Sequence, residues 1–213
     1  MEGVDGIMVR RSVPSDHSCL FSAIGYVMDH DRNKATELRQ VIVQKVASDP
    51  TKYTEAFLEV SNEEYCSWIQ NSNTWGGAIE LSILSEYYQK EIAAYHTDNV
   101  RCYVYGEDQK YTEMVLLIYD GRHYDALAIS QAYGVSEEFD QTVFPVQEDK
   151  SIGRVHELAL DLVNEEARND GDIGNCSVDI IFTRVVCGIE LIGQKESMQH
   201  AEATNHLEFV EKL

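Results

Sequence analysis

The sequence is poor in cationic residues and has no apolar run long enough to cross a membrane. Lys and Arg number 17 against 37 Asp and Glu, which gives a net charge of −20. Nucleic acids and anionic lipid surfaces select basic patches, so this balance argues against both as partners. Residues 1–6 are acidic and contain no apolar stretch. We therefore predict neither a signal peptide nor a membrane span, and we expect the protein in the cytosol or nucleus.

A disulfide framework is also not indicated. The chain has 5 cysteines, an odd number at irregular spacing, in a sequence without a secretory signal. Such thiols are predicted to be reduced, and most should be small core residues. The cysteines are Cys19, Cys66, Cys102, Cys176 and Cys187. At 213 residues and 44% apolar, the chain suits one compact domain with a small appendage.

Periodicity divides the chain into a helical first part and a strand-rich second part. We predict a strand over residues 7–13, followed by helices over 19–28, 35–47 and 78–88 and a helical stretch over 53–69. Short runs rich in β-branched and aromatic residues predict strands over 91–95, 100–105, 114–119 and 124–129. A further helix is expected over 151–164 and a polar linker over 165–175. The order indicates an α+β or three-layer α/β domain.

Cys19 is the first candidate for chemistry, because it stands where a polar turn enters a predicted helix. Unpaired amides and the helix dipole favour a thiolate at such a position, where the pKa commonly falls from about 8.5 into the range of roughly 3.5 to 7.5. The turn can also aim backbone N–H groups at a developing oxyanion. A packed or capping cysteine is the commoner explanation of this pattern taken alone.

The second candidate is the segment Tyr-Asp-Gly-Arg-His-Tyr-Asp at residues 119–125. Asp120 and Gly121 predict a turn between two strands, with His123 at its exit. Residues two apart on a strand share a face, so the Asp125 carboxylate can hold one imidazole nitrogen of His123. The other nitrogen is then free to act as a base for a thiol. An exposed histidine beside an aspartate is an equally common reading of this segment alone.

Three segments in order resemble the signatures of the ovarian tumour (OTU) family of deubiquitinating cysteine proteases. Pro-Ser-Asp-His-Ser-Cys-Leu-Phe at residues 14–21 is similar to its nucleophile turn, and Trp-Gly-Gly-Ala-Ile-Glu-Leu at 75–81 to its second signature. Residues 117–127 resemble its histidine block. The resemblance is closest to plant members of the branch with a C-terminal two-Cys, two-His finger.

This resemblance implies a papain-like α/β fold, with helices flanking a central, mostly antiparallel sheet. It implies a catalytic domain over residues 1–147, a helix and linker over 148–177, and a finger-like segment over 178–213. The implied activity is hydrolysis of bonds at the C-terminal glycine of ubiquitin through a thioester, with no cofactor for catalysis. Ubiquitin and polyubiquitin chains are the implied partners, and the protein is expected to be monomeric.

The resemblance also implies roles for individual residues, assigned by their position in the matching motifs. Cys19 is the implied nucleophile, His123 the base, Asp125 its orienting acid, and Asp16 a loop-shaping member of the catalytic apparatus. The implied substrate contacts are Trp75, Gly76, Gly77, Arg122 and Tyr124.

His17 departs from the family pattern, which has asparagine in this turn. If only the backbone N–H at this position contributes to the oxyanion hole, the change is harmless, and we favour that interpretation. If the side chain contributes, turnover becomes slower or newly sensitive to pH.

The finger-like segment departs further from the family pattern. Cys187, His200 and His206 match three of its four ligand positions, but Arg184 occupies the place of the first cysteine. A structural zinc site needs four ligands, so we predict a degenerate finger with weak or absent zinc. Ordinary residues on a solvated helix are an equally good account of the two histidines.

Two other functions are compatible with part of these features. The His17 and Arg184 departures favour a silent ubiquitin-binding adaptor, although the nucleophile, base and acid positions are all occupied. A papain-like hydrolase of another modifier fits the candidate triad but not the Trp-Gly-Gly signature.

Overall fold

A computed structural model describes residues 6–172, 181–184, 190–192 and 209–212, with side chains through residue 168. The helices are α1 (Cys19–Asp29), α2 (Ala35–Ser48), α3 (Glu55–Leu58), α4 (Asn62–Ile69), α5 (Ala78–Tyr88) and α6 (Arg154–Asp172). The strands of the main sheet are β1 (Ile7–Arg11), β2 (Glu91–His96), β3 (Arg101–Tyr105), β4 (Glu113–Tyr119), β5 (Tyr124–Ser130) and β6 (Val143–Pro145). Three short C-terminal strands are β7 (Ile181–Arg184), β8 (Glu190–Ile192) and β9 (Phe209–Lys212).

The main sheet has the order β1-β5-β4-β2-β3, and β6 pairs with the first residues of β4. Among the described strands of this sheet, only the β2–β4 pair is parallel, so the predicted mostly antiparallel sheet is confirmed. The C-terminal strands form a separate antiparallel sheet in the order β8-β7-β9. Among the described residues, no helix combines the length and apolar character needed to cross a membrane.

Apolar side chains cover both faces of the main sheet, which makes it the middle layer of three. On β4, Val115 and Leu117 face one core with residues of α1, α2, α4 and α5. The alternate residues Leu116 and Ile118 face a second core with residues of α6. This alternation follows from the two-residue period of a strand, and it explains why β4 reads as a continuous apolar run.

The structure corrects two of the predicted boundaries. The helical stretch over 53–69 is broken, because Glu59 adopts a left-handed backbone with φ of 66° and Ser61 starts α4 with a capping box to Glu64. The predicted linker over 165–175 is wrong for its first part, since α6 continues to Asp172. A hydrogen bond from Arg10 on β1 to Glu166 ties that part of α6 to the sheet.

Candidate active site

Cys19 is the first residue of α1 and is 2% exposed. The turn before it is shaped by Asp16, whose Oδ1 accepts a hydrogen bond of 2.8 Å from the Ser18 N–H. The Asp16 carbonyl accepts a longer bond of 3.3 Å from the Cys19 N–H. Such side-chain bonds two residues along the chain are how aspartate fixes a turn. Asp16 therefore sets the geometry of the nucleophile turn, residues 15–18, from which Cys19 enters the helix.

Burial raises the pKa of the Cys19 thiol, so the lowered value expected at a helix start is wrong for this structure. Backbone N–H groups of Tyr124 and Leu20 bond to the sulfur and act in the opposite direction. The nearby carboxylates of Asp16 and Asp125 raise the pKa further. Desolvation thus outweighs the amides that the helix start provides. The thiol carries its proton at neutral pH and needs a base to become a nucleophile.

His123 stands at the exit of the turn between β4 and β5, as the sequence predicts. The Asp120 carboxylate accepts bonds from the backbone N–H groups of Arg122 (3.0 Å) and His123 (2.8 Å). Gly121, with φ of 93°, supplies the left-handed residue of this turn. The His123 Nε2 atom lies 3.1 Å from Oδ1 of Asp125, which leaves Nδ1 as the nitrogen available for proton transfer. Arg122 is exposed beside the base, and its role as a substrate contact stays a prediction.

Asp125 is 2% exposed and is held from three sides. Besides contacting His123, its Oδ1 accepts a hydrogen bond of 2.7 Å from the backbone N–H of Val13. Its Oδ2 accepts a hydrogen bond of 2.7 Å from Nε of Arg10. Arg10 continues to Glu166 on α6, at 3.0 Å. No local sequence pattern indicates this role of Arg10, because its partners are 115 and 156 residues away along the chain.

Tyr124 joins the nucleophile to the histidine turn. It follows His123 in the chain, and its backbone N–H acts on the Cys19 sulfur to lower the pKa of the thiol. The Tyr124 ring is 7% exposed and stacks on Tyr119 with 4.3 Å between centroids. The side chain predicted to contact substrate is therefore mostly covered, and the observed contribution of Tyr124 to the site is its backbone N–H.

The Trp75 side chain is 48% exposed and lies beside the nucleophile turn. Its ring meets the exposed His17 ring edge to face, with 5.2 Å between centroids. The His17 backbone contributes separately to the turn, because its carbonyl accepts a bond from Arg39. His17 thus places its side chain against Trp75, while its main chain belongs to the nucleophile turn.

The glycines that follow Trp75 have different local roles. A Cβ atom on Gly76 would lie 3.0 Å from the Phe21 ring and 3.3 Å from Leu20, so the close approach at Gly76 is to α1. A Cβ atom on Gly77 would have only an ordinary contact, 4.0 Å from Oε2 of Glu80, and the Gly77 N–H donates to the same oxygen at 2.7 Å. The structure thus explains why position 76 needs glycine, while the role of both glycines as substrate contacts stays a prediction.

Arg39 is a second residue of the site that was not predicted from the sequence. It is 3% exposed and reaches both the nucleophile turn and the residue before Trp75. A signal was present, because Arg39 occupies the same helical row as Ala35 and Val43, which pack against the core. A cation in such a row indicates a buried polar network.

The predicted metal ligands Cys187, His200 and His206 lie outside the described residues. Arg184, at the position of the expected first cysteine, is the last residue of β7. Arginine stays protonated and cannot serve as a zinc ligand, so the donor set does not fit a four-ligand structural site. The described part of the chain contains no group of three His, Cys, Asp or Glu residues that could hold a metal ion.

Comparisons with known proteins agree with this geometry. The family model for OTU-like cysteine proteases matches residues 14–124, and that for the C-terminal C2H2-type zinc finger of ubiquitin thioesterase OTU1 matches residues 184–212. The chain is 55% identical to the ovarian tumor domain-containing deubiquitinating enzyme 2 of Arabidopsis thaliana, over 98% of this chain and 99% of the relative. It is 45% identical to ubiquitin thioesterase OTU1 of Danio rerio, over 98% of this chain and 67% of the relative.

A solved structure of an OTU domain in complex with ubiquitin superimposes with a TM-score of 0.67 at 30% sequence identity. The match covers 76% of this chain and 88% of that chain. The family model spans Cys19 and His123, the two ends of the proposed proton transfer. The chain therefore belongs to the ovarian tumour (OTU) family of cysteine proteases.

Proposed function

We propose that this protein is a deubiquitinase that hydrolyses isopeptide and related acyl bonds at the C-terminal glycine of ubiquitin. The observation that carries the proposal is the orientation of His123. Its Nε2 is held by Asp125 at 3.1 Å, and the backbone N–H of the residue that follows it, Tyr124, acts on the Cys19 sulfur to lower the pKa of the thiol. A base with one nitrogen fixed and the other free, one residue before a backbone N–H that acts on the buried thiol, suits thiol-mediated acyl transfer.

In the acylation step, Nδ1 of His123 takes the proton of the Cys19 thiol. The sulfur attacks the glycine carbonyl, and backbone N–H groups of the nucleophile turn stabilise the oxyanion that forms. Collapse of this intermediate breaks the C–N bond. The leaving amine takes this proton from His123, and a thioester to Cys19 remains. Asp125 keeps the imidazole in place and stabilises its charged form.

In the second step, water replaces the amine. His123 removes a proton from the water as it attacks the thioester carbonyl. The C–S bond breaks, the sulfur recovers its proton from His123, and ubiquitin leaves with a free carboxylate. The elevated pKa of the buried Cys19 thiol makes this return of the proton favourable.

The substrate assignment is supported by the relatives, which are named as deubiquitinating enzyme and ubiquitin thioesterase, and by the ubiquitin complex of a similar OTU domain. The net charge of −20 suits a basic partner surface. We include polyubiquitin chains among the substrates and propose that the protein acts as a monomer, since its own helices cover both faces of the main sheet.

A hydrolysis assay tests the function. Ubiquitin with a fluorogenic amide at its C-terminus should be cleaved by the wild-type protein. His123→Ala should lower kcat by roughly 10²- to 10⁴-fold, the range of a positioned general base. His156→Ala is the matched control, because His156 pairs with Tyr95 beyond the opposite face of the sheet. Equal kcat values in the wild type and His123→Ala would contradict the mechanism, and binding of ubiquitin without any cleavage would favour the adaptor function.

We also propose a cytosolic or nuclear location. The three described cysteines, Cys19, Cys66 and Cys102, are free thiols, which is usual in reducing compartments. Localisation of the fluorescently tagged full chain tests this, and accumulation in the secretory pathway would contradict it.

A further inference from the structure

Arg39 is a buried cation whose hydrogen bonds within the described part of the chain all go to uncharged acceptors. It lies on α2, is 3% exposed, and its guanidinium carbon sits 4.1 Å above the centre of the Phe21 ring. Burial lowers its pKa, and the Glu80 and Asp16 carboxylates oppose this from beyond hydrogen-bond distance. A buried charge is costly unless hydrogen bonds compensate it, so the bonds of Arg39 indicate what it is retained for.

These bonds join separate segments around the site. Nη2 of Arg39 donates to the Thr74 carbonyl at 2.7 Å, and to the His17 carbonyl and the Ser18 Oγ at 3.2 Å each. Nη1 donates to the Ile69 carbonyl, the last residue of α4, at 2.9 Å. One side chain therefore ties the nucleophile turn to the end of α4 and to the segment that carries Trp75.

The bond to His17 has a specific geometric effect. The peptide between His17 and Ser18 is held at its oxygen by Arg39 and at its nitrogen by the Asp16 carboxylate, at 3.2 Å and 2.8 Å. Because a peptide unit is planar, two such bonds fix the orientation of the whole unit. The Ser18 N–H donates to the Asp16 carboxylate, and the Cys19 N–H makes a longer bond of 3.3 Å to the Asp16 carbonyl. The plane of this unit therefore sets the direction of the N–H groups of His17 and Cys19 on either side of it.

The bond to Thr74 acts on the other segment beside the site, the one that carries Trp75. Thr74 precedes Trp75, whose ring contacts the His17 ring at 5.2 Å. Since the same Nη2 atom bonds to the carbonyls of His17 and Thr74, the nucleophile turn and the Trp75 segment are held at a fixed separation. A lysine ammonium at this position cannot reproduce a planar guanidinium that serves four acceptors.

We propose that Arg39 is a positioning residue that fixes the plane of the His17–Ser18 peptide and the separation of the nucleophile turn from the Trp75 segment. It thereby aims the backbone N–H groups that stabilise the oxyanion. The inference rests on the proposed ubiquitin hydrolysis, because it concerns the oxyanion of that reaction. Arg39 contacts no reacting atom itself and acts through the loops that it holds.

The test compares Arg39→Lys with Arg32→Lys. Arg32 is a matched control, because it also stacks on an aromatic ring, that of Tyr26 at 4.3 Å, and donates to a backbone carbonyl, that of Ser12 at 3.1 Å. Three quantities are measured for each variant: kcat and KM on ubiquitin with a C-terminal fluorogenic amide, the rate at which iodoacetamide alkylates Cys19, and Tm. Alkylation of Cys19 needs the thiolate but no oxyanion hole. It therefore distinguishes a change in the ionisation of the thiol from a change in the stabilisation of the oxyanion.

For Arg39→Lys we expect kcat to fall on the order of 10²-fold, as when an oxyanion donor is lost. KM and the alkylation rate should change less than about threefold, and Arg32→Lys should match the wild type. A folded Arg39→Lys with wild-type kcat would overturn the proposal, as would an alkylation rate that falls in step with kcat. If neither Arg39→Lys nor Arg39→Met folds, Arg39 is a folding determinant and the proposal is also overturned. An inactive wild type would instead refute the proposed function.

Discussion

Arg10 donates a hydrogen bond of 2.7 Å from its Nε to Oδ2 of Asp125. The acid that orients His123 is thus itself oriented by a residue of β1. Arg10 bonds in turn to Glu166 at 3.0 Å. These bonds connect the histidine turn, the first strand and α6, so the site depends on parts of the chain that are far apart in sequence.

Replacing Arg10 by Met should impair both activity and stability. The buried Oδ2 of Asp125 would lose its donor, which costs about 1–3 kcal/mol in the free energy of unfolding. Misplacement of His123 should lower kcat by roughly 10- to 100-fold with little change in KM. Denaturant titration and steady-state kinetics check this.

Arg101→Met is the control for this prediction, because Arg101 is exposed on β3 at the end of the sheet. It should behave as the wild type in both measurements. An Arg10→Met variant with unchanged kcat would show that Val13 and the strand backbone suffice to hold Asp125.

The raised pKa of the Cys19 thiol predicts how its reactivity depends on pH. The thiolate is the reactive form, and below the pKa its fraction rises about tenfold per pH unit. Alkylation of Cys19 by iodoacetamide in the free protein should therefore keep rising steeply between about pH 6 and pH 8. Mass spectrometry of the peptide that contains Cys19 measures the rate without interference from Cys66 and Cys102. A rate that is already constant below pH 7 would contradict the raised pKa.

The lowered pKa of Asp140 predicts that the folded protein loses stability in acid. Burial alone would raise its pKa, but hydrogen bonds from Arg11, at 2.6 Å and 2.8 Å, and from Tyr26, at 2.6 Å, hold the pKa below its usual value. A carboxyl whose pKa is lower in the folded state stabilises the fold above its unfolded-state pKa, and this stabilisation is lost as the pH falls through the folded-state pKa.

Asp140→Asn should therefore destabilise the protein at pH 7 by roughly 1–3 kcal/mol. The difference from the wild type should begin to shrink below about pH 4, where this carboxyl becomes protonated in the unfolded state, and should be lost as the pH falls through the lower folded-state pKa. Urea denaturation at several pH values checks this, with the exposed Asp108→Asn as control. A destabilisation that is the same at pH 3 and pH 7 would refute the assigned role of the charge.

The finger segment gives a prediction about metal content. Because Arg184 stands where a ligand is needed, we expect well below one zinc per chain in protein purified without added metal. Elemental analysis measures the ratio directly, and removal of metal by a chelator should leave Tm unchanged. One zinc per chain, lost together with stability on chelation, would show that other residues complete the site.

The sequence predicted those parts of the structure that depend on local pattern. The helix over 78–88 is observed with the same bounds, because the glycines before it and its apolar spacing are local signals. The turn at Asp120 and Gly121 and the Asp125–His123 contact followed likewise from turn chemistry and strand period.

Other features depend on distant partners and could not be predicted locally. The bonds of Arg10 to Asp125 and Glu166 join β1 to residues far along the chain. The direction of the Cys19 pKa depends on how deeply the folded core buries the sulfur, whereas the sequence shows only the helix start.

The most direct test of the central claim uses ubiquitin that carries an electrophile at its C-terminus. The wild-type protein under reducing conditions should gain the mass of one ubiquitin, and peptide mapping should place the bond on Cys19. Cys19→Ala should form no adduct, while Cys66→Ala should react as the wild type. Absence of an adduct with the wild type, or an adduct on another cysteine, would contradict the assignment of Cys19 as the nucleophile of a deubiquitinase.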